Sequence, residues 1–218
     1  MCGRYALHAS PEVVALQFGL ASVPSFSPRY NIAPAAQVLI VRQDGERRGA
    51  AMVKWGLVPR WAKDPSMGAR MNNARAETAA AKPSFRDAYR RRRCLIPASG
   101  FYEWKPEHGL KQPYYFHPAA GGLFAFAGLW ERWEGPGGPL ETCAVLTTEA
   151  NAVMAPVHDR MPVILGPANY RPWLEASVPL APLLVPCPPA VLAVHRVSRA
   201  VNDARRDDPR LAEPEGTM

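Results

Sequence analysis

From residue 94 to residue 197 the chain is a succession of short β-prone runs cut by glycine and proline. Such a pattern builds an antiparallel sheet more readily than a helical bundle. The runs fall at residues 94–97, 114–117, 123–129, 142–147, 161–165 and 191–197. Two more, at residues 37–42 and 48–55, flank Asp44-Gly45, a strong hairpin signal. Helical segments are few. Ser10 as cap and Pro11 at the first helical position predict a helix running to Leu20. Residues 77–82 and 84–93 predict two further helices broken by Pro83, and residues 168–176 a fourth. The expected fold class is α+β: a single domain over residues 1–218, with a curved, barrel-like, mainly antiparallel sheet and a few flanking helices. From Val201 onward the chain is charged and proline-containing, a tail expected to fray or to wrap the surface.

With 218 residues, 48% of them hydrophobic, the chain is long enough for one large core or two small ones. No linker or repeat divides it. No run of about 20 apolar residues exists to cross a membrane. The N-terminus lacks a basic stretch followed by an apolar one, so a cytoplasmic protein is expected. The cysteines at 2, 94, 143 and 187 match no zinc spacing, and a disulfide framework is not expected in so large a core. Cys94, Cys143 and Cys187 sit in apolar runs and are expected to be buried small hydrophobes. A net charge of +7 favours a polyanionic partner without identifying it.

The reactive feature is Cys2. Loss of Met1 would place an α-amine and a thiol on one residue, a 1,2-aminothiol that no internal cysteine can offer. The amine can condense with an aldehyde, and the sulfur can then close a five-membered thiazolidine. Three other segments place polar groups where a plain core would not. Asn72-Asn73-Ala74-Arg75-Ala76-Glu77 precedes a helix: Asn73 could cap it, and Arg75 could pair with Glu77. Glu103 lies among aromatics in Gly100-Phe101-Tyr102-Glu103-Trp104, where burial would raise its pKa; a strand with alternate residues facing solvent is the simpler alternative. His158 sits in Val157-His158-Asp159-Arg160, a neighbour pair that chance also produces. His8, His108, His117 and His195 have no partner at ligand spacing, so no metal and no cofactor is expected. The run Arg90 to Arg93 ends a helix, where cations suit the dipole, and it could add to a phosphate-binding field. Trp55 and Trp61 flank a loop and could stack on bases or serve as core.

In order along the chain stand MCGRYAL, YNIAPAAQ, WGLVPRWAKD, MNNARAET, KPSFRDAYRRRRCLIPASGFYEWK, FAGLWE, VLTTEAN and VHDRMPVIL. With these motifs the sequence resembles the SRAP family, the SOS-response-associated peptidases, over nearly its whole length. The resemblance implies removal of Met1 and covalent capture of abasic sites in single-stranded DNA, including sites at junctions with duplex. Cys2, Asn73, Glu103 and His158 are implied as catalytic. His158 would assist opening of the sugar ring, Glu103 would manage the protons of the Cys2 amine, and Asn73 would hydrogen-bond the opened sugar. Arg4 and Arg75 would hold flanking phosphates. Trp55, Trp61, Thr147 and Arg160 are further expected DNA contacts. The implied product is a thiazolidine that shields the lesion, formed by a monomer that joins the nucleoid when bound to DNA. Two alternatives stay open: a thiol peptidase using Cys2, and a non-covalent reader of modified DNA.

Overall fold

Pairing along both edges of one long strand closes the larger sheet on itself. The computed structural model describes residues 2–216. Its strands are β1 (Tyr5–Leu7), β2 (Arg29–Ile32), β3 (Gln37–Asp44), β4 (Arg47–Trp55), β5 (Asn73–Arg75) and β6 (Arg93–Ala98). They continue with β7 (Gly100–Glu107), β8 (Leu110–Pro118), β9 (Phe124–Gly135), β10 (Gly138–Glu149), β11 (Arg160–Pro162) and β12 (Leu192–Arg196). The order β10-β4-β3-β6-β9, with β9 pairing back onto β10, is a closed five-stranded barrel. Closure removes the free edges at which an open sheet aggregates. A second sheet runs β12-β8-β7-β1-β2. Among the described residues only β10 with β4 and β10 with β5 pair in parallel. The helices α1 (Pro11–Phe18), α2 (Ala76–Ala79), α3 (Arg86–Arg91) and α4 (Tyr170–Glu175) flank these sheets. The α+β class and barrel-like sheet expected from the sequence are therefore present.

Local chemistry sets several boundaries. Ser10 accepts from the Val13 N–H, and Gly19, left-handed at φ 65°, stops α1 at Phe18, before the predicted last residue, Leu20. Gly45 takes φ 60° in the tight turn from β3 to β4. At Gly100 a Cβ would lie 2.4 Å from Tyr115 Cζ and 2.6 Å from the Phe116 carbonyl oxygen, so only glycine fits between β7 and its neighbour. Tyr5 carries β1 into the barrel core, edge-on to Trp55 at 5.3 Å and to Phe126 at 6.1 Å.

Two sequence expectations are corrected. The helix expected over residues 84–93 is shorter, because Arg93 starts β6 and is buried. Its guanidinium donates to the carbonyls of Tyr89, Arg90, Trp173 and Leu174, which would otherwise be buried acceptors. Arg92 pairs with the buried Glu131 at 2.7 Å. Only Arg90 and Arg91 of that run remain exposed, so it forms no continuous phosphate-binding track. The second correction concerns Trp55, which is 1% exposed and donates from its indole nitrogen to the Asn72 carbonyl. It is a core residue and offers no face to a base.

The tail wraps rather than frays. Asn31, 1% exposed, donates from Nδ2 to the carbonyls of Val201, Asp203 and Arg206 and accepts from Arg4 Nη1 at 2.7 Å. Asp207 accepts from the backbone N–H groups of Tyr30 and Asn31 and pairs with Arg29, capping the outer edge of β2. Asn31→Ala should therefore cost about 2–3 kcal/mol, through lost bonds and stranded buried partners. Urea unfolding would measure that loss, and limited proteolysis should cut the variant after residue 201 while leaving the parent intact.

Candidate functional site

Cys2 is placed by strand pairing. Tyr5 lies opposite Phe101 and Ala6 opposite Gly100, and the Tyr102 N–H donates to the Arg4 carbonyl at 2.9 Å. Continuing that antiparallel register sets Gly3 opposite Glu103. Cys2 is 1% exposed and Glu103 6%, so the two share an interior where charge is costly. Burial, with the Glu103 carboxylate adding to it, pushes the Cys2 thiol up to about 12. Burial also raises the Glu103 carboxyl above its ordinary 4.5, against the opposing pull of nearby His158 and the Trp104 N–H. All four residues Gly100 to Glu103 are buried, so the alternative of a strand half turned to solvent does not hold.

Asn73 reaches the same place from the other sheet. β5 aligns Asn73 with Val145 and Arg75 with Thr147 on β10. The Asn73 amide Nδ2 donates to the Cys2 carbonyl at 2.7 Å. Its Oδ1 is buried without a hydrogen-bond partner among the described residues, an acceptor within the site. Asn73 caps no helix: α2 has Arg75 at its cap position, with no side-chain bond there.

His158 arrives on the turn between β10 and β11, closed by the Ala150 N–H donating to the Asp159 carbonyl. Its Nδ1 accepts from the Arg160 N–H at 2.9 Å, and Asp159 Oδ1 lies 2.9 Å from the same nitrogen. One Nδ1 cannot serve both in the neutral ring. The Arg160 amide belongs to β11, whereas the Asp159 side chain is 86% exposed, so the amide decides. The neutral imidazole then carries its proton on Nε2, and a protonated ring could turn Nδ1–H to Asp159.

Of the expected DNA contacts, Trp61 is 54% exposed, with its indole N–H donating to the Pro83 carbonyl. Arg75 is exposed, and its side chain makes no hydrogen bond or ion pair among the described residues. Arg4 is largely engaged internally, Nη1 donating to both Asn31 and the Val201 carbonyl. Thr147 is wholly buried, its hydroxyl unpartnered among the described residues. Arg160 binds both oxygens of Glu77, at 2.6 and 2.9 Å, and the Thr147 carbonyl. Sequence proximity leaves Arg75 free to pair with Glu77; the β10–β11 pairing brings Arg160 to it instead. Among the described residues no three His, Cys, Asp or Glu side chains gather as a metal site. Among the same residues no helix is long and apolar enough to cross a membrane. Met1, whose removal would free the Cys2 amine, lies outside the described residues, as do residues 217 and 218 of the tail.

A family model described as SOS response associated peptidase (SRAP) matches residues 1–204. The abasic site processing protein YoqW of Bacillus subtilis (strain 168) is 40% identical over 222 residues, covering 98% of this chain and 99% of its own. The abasic site processing protein HMCES of Gallus gallus is 34% identical, over 87% of this chain and 67% of its own. A solved structure of a protein from Bacteroides thetaiotaomicron superposes with a TM-score of 0.88 at 26% identity, covering 98% and 99% of the two chains.

The raised Glu103 carboxyl has a consequence for stability. A carboxyl whose folded pKa lies above its unfolded value binds more protons in the native state, so its contribution weakens as pH rises through that window. Glu103→Gln, which carries no charge, should be more stable than the parent at about pH 7. The difference should close at about pH 3, where the carboxyl is protonated in both states. Urea midpoints at the two pH values measure it; a less stable variant at neutral pH would show that Glu103 contributes more by pairing than burial costs.

Proposed function

Because the chain belongs to the SOS response associated peptidase family, we propose that it processes abasic sites in single-stranded DNA by trapping the lesion covalently on Cys2. The observation that carries this reading is the convergence of Cys2, Asn73, Glu103 and His158 from four separate segments, with half-buried Asn73 and His158 beside the buried Cys2 and Glu103. The names of the relatives add abasic-site processing as the activity.

In this reading Met1 is removed and the freed Cys2 amine faces Glu103. The abasic sugar opens to its aldehyde with proton transfer from His158. The amine attacks C1′ and water leaves, giving an imine. The Cys2 S–H then adds across the C=N bond: sulfur bonds to C1′, and the nitrogen gains the proton by way of Glu103. No redox partner is needed. Asn73 Oδ1 is the acceptor for a sugar hydroxyl or for the amine. Arg75 and Trp61 meet the flanking strand or a duplex end, and every group comes from one chain.

The thiol peptidase reading fares worse on one observation. Burial raises the Cys2 thiol well above its ordinary range, which suits ring closure by a neutral thiol better than attack on an amide by a thiolate. A non-covalent reader would have no use for a buried carboxyl beside that cysteine.

Mature protein mixed with an abasic oligonucleotide should give a band that survives denaturing electrophoresis, and Cys2→Ala should give none. Glu103→Ala and His158→Ala should each slow capture about a hundredfold with initial binding little changed. A denaturation-resistant band from Cys2→Ala, or parent-like rates from both other variants, would refute the assignment.

A further inference from the structure

His158 stands on an irregular turn, yet a proton-transfer group must be held within a few tenths of an ångström of its task. One side chain accounts for the shape of that turn. Asn151, at 8% exposure just after β10, has all four hydrogen-bonding positions of its amide filled. Its Oδ1 accepts from the Val153 N–H at 3.1 Å and the Met154 N–H at 3.0 Å. Its Nδ2 donates to the Cys187 carbonyl at 3.0 Å and lies 3.7 Å from the Cys187 sulfur. Its backbone carries the next link, its carbonyl accepting from Met154 and Ala155. The Met154 carbonyl in turn accepts from the N–H groups of Val157 and His158, the latter at 3.1 Å. Two successive turns thus run from the Asn151 amide to the His158 backbone, and the far end is locked by Arg160 at Nδ1.

We propose that Asn151 is a positioning residue for His158: it fixes the turn that presents the imidazole and moors it to the segment around Cys187. The Cys187 anchor belongs to neither strand of the β10–β11 pair, so it supplies a third, independent point of attachment. Without it the turn would keep hydrogen-bonded attachment at its two ends and, between them, the apolar packing of the buried Met154. The side chain has no contact with the reacting atoms and acts through His158 alone. The proposal rests on the proton-transfer role given to His158 above.

Two substitutions separate the two halves of the amide. Asn151→Ser keeps an acceptor for the Val153 and Met154 N–H groups but loses the Cys187 anchor. Asn151→Asp keeps the acceptors and turns a carboxylate oxygen on the Cys187 carbonyl, so repulsion replaces attachment. Single-turnover capture of an abasic oligonucleotide at saturating concentration should slow about tenfold in Asn151→Ser and more in Asn151→Asp, with the dissociation constant of the initial complex unchanged. Ring-nitrogen NMR of His158 should show the Nε2–H tautomer of the parent giving way to a mixture in both variants. His158→Ala is the control, and adding either Asn151 substitution to it should slow capture no further. If His158→Ala is slow but both Asn151 variants match the parent, the positioning role is wrong. It is equally wrong if they are slow with the parent tautomer intact, or if the double variants are slower than His158→Ala. Should His158→Ala itself capture at the parent rate, the role given to His158 fails first. Asn151→Ser, the milder change, keeps the test open if Asn151→Asp does not fold.

Discussion

The pairing of β1 with β7 is the contact on which the site depends. It is only two residue pairs long in formal register, Tyr5 with Phe101 and Ala6 with Gly100, but it is reinforced from both sides. Tyr5 is driven into the barrel core against Trp55 and Phe126, and burial of that ring supplies the free energy that a three-residue strand lacks by itself. On the outer side β2 pairs with β1, and the C-terminal segment closes the edge of β2 through Asp207 and Asn31. An N-terminal strand would ordinarily fray. Here it is held between a sheet, a barrel and a strap, and Cys2 is carried to a fixed place beside Glu103.

That placement sets the electrostatics. A carboxyl and a thiol kept out of water each resist ionisation, and the Glu103 carboxylate makes ionisation of the Cys2 thiol harder still. The arrangement works against stability and in favour of chemistry: a carboxyl raised above its ordinary range is a better proton acceptor and donor near neutrality. His158 and Asn73 enter the same space on the two flanks of β10, one through the turn before β11 and the other on β5. The C-terminal half of β10 is therefore the scaffold on which the second half of the site is assembled.

Much of this was legible in the sequence, and the exceptions have physical reasons. Each later β-prone run contains or overlaps a strand or bridge, and the hairpin turn, α1 and its Ser10 cap follow from local chemistry. β1, β2 and β5 were not foreseen, since three or four residues carry no readable period and these strands exist through tertiary pairing. Cys2, Asn73, Glu103 and His158 stand out as four separate segments, grouped in the sequence by family resemblance alone; their proximity in space comes from the fold. Trp55 and Arg93 misled because residue type does not say which face is buried, and Arg93 finds four carbonyls that no local pattern announces. The Glu77–Arg160 pair spans 83 positions and lies beyond any reading by proximity.

The central claim is that a terminal nitrogen and its neighbouring sulfur jointly hold a damaged sugar, and intact-mass spectrometry addresses it most directly. Mature protein, lacking Met1 and incubated with an abasic single strand, should gain the mass of the oligonucleotide less one water. Protein whose terminal amine has been acetylated should gain nothing. An unchanged mass for the mature protein, or the same gain with the amine blocked, would contradict the account.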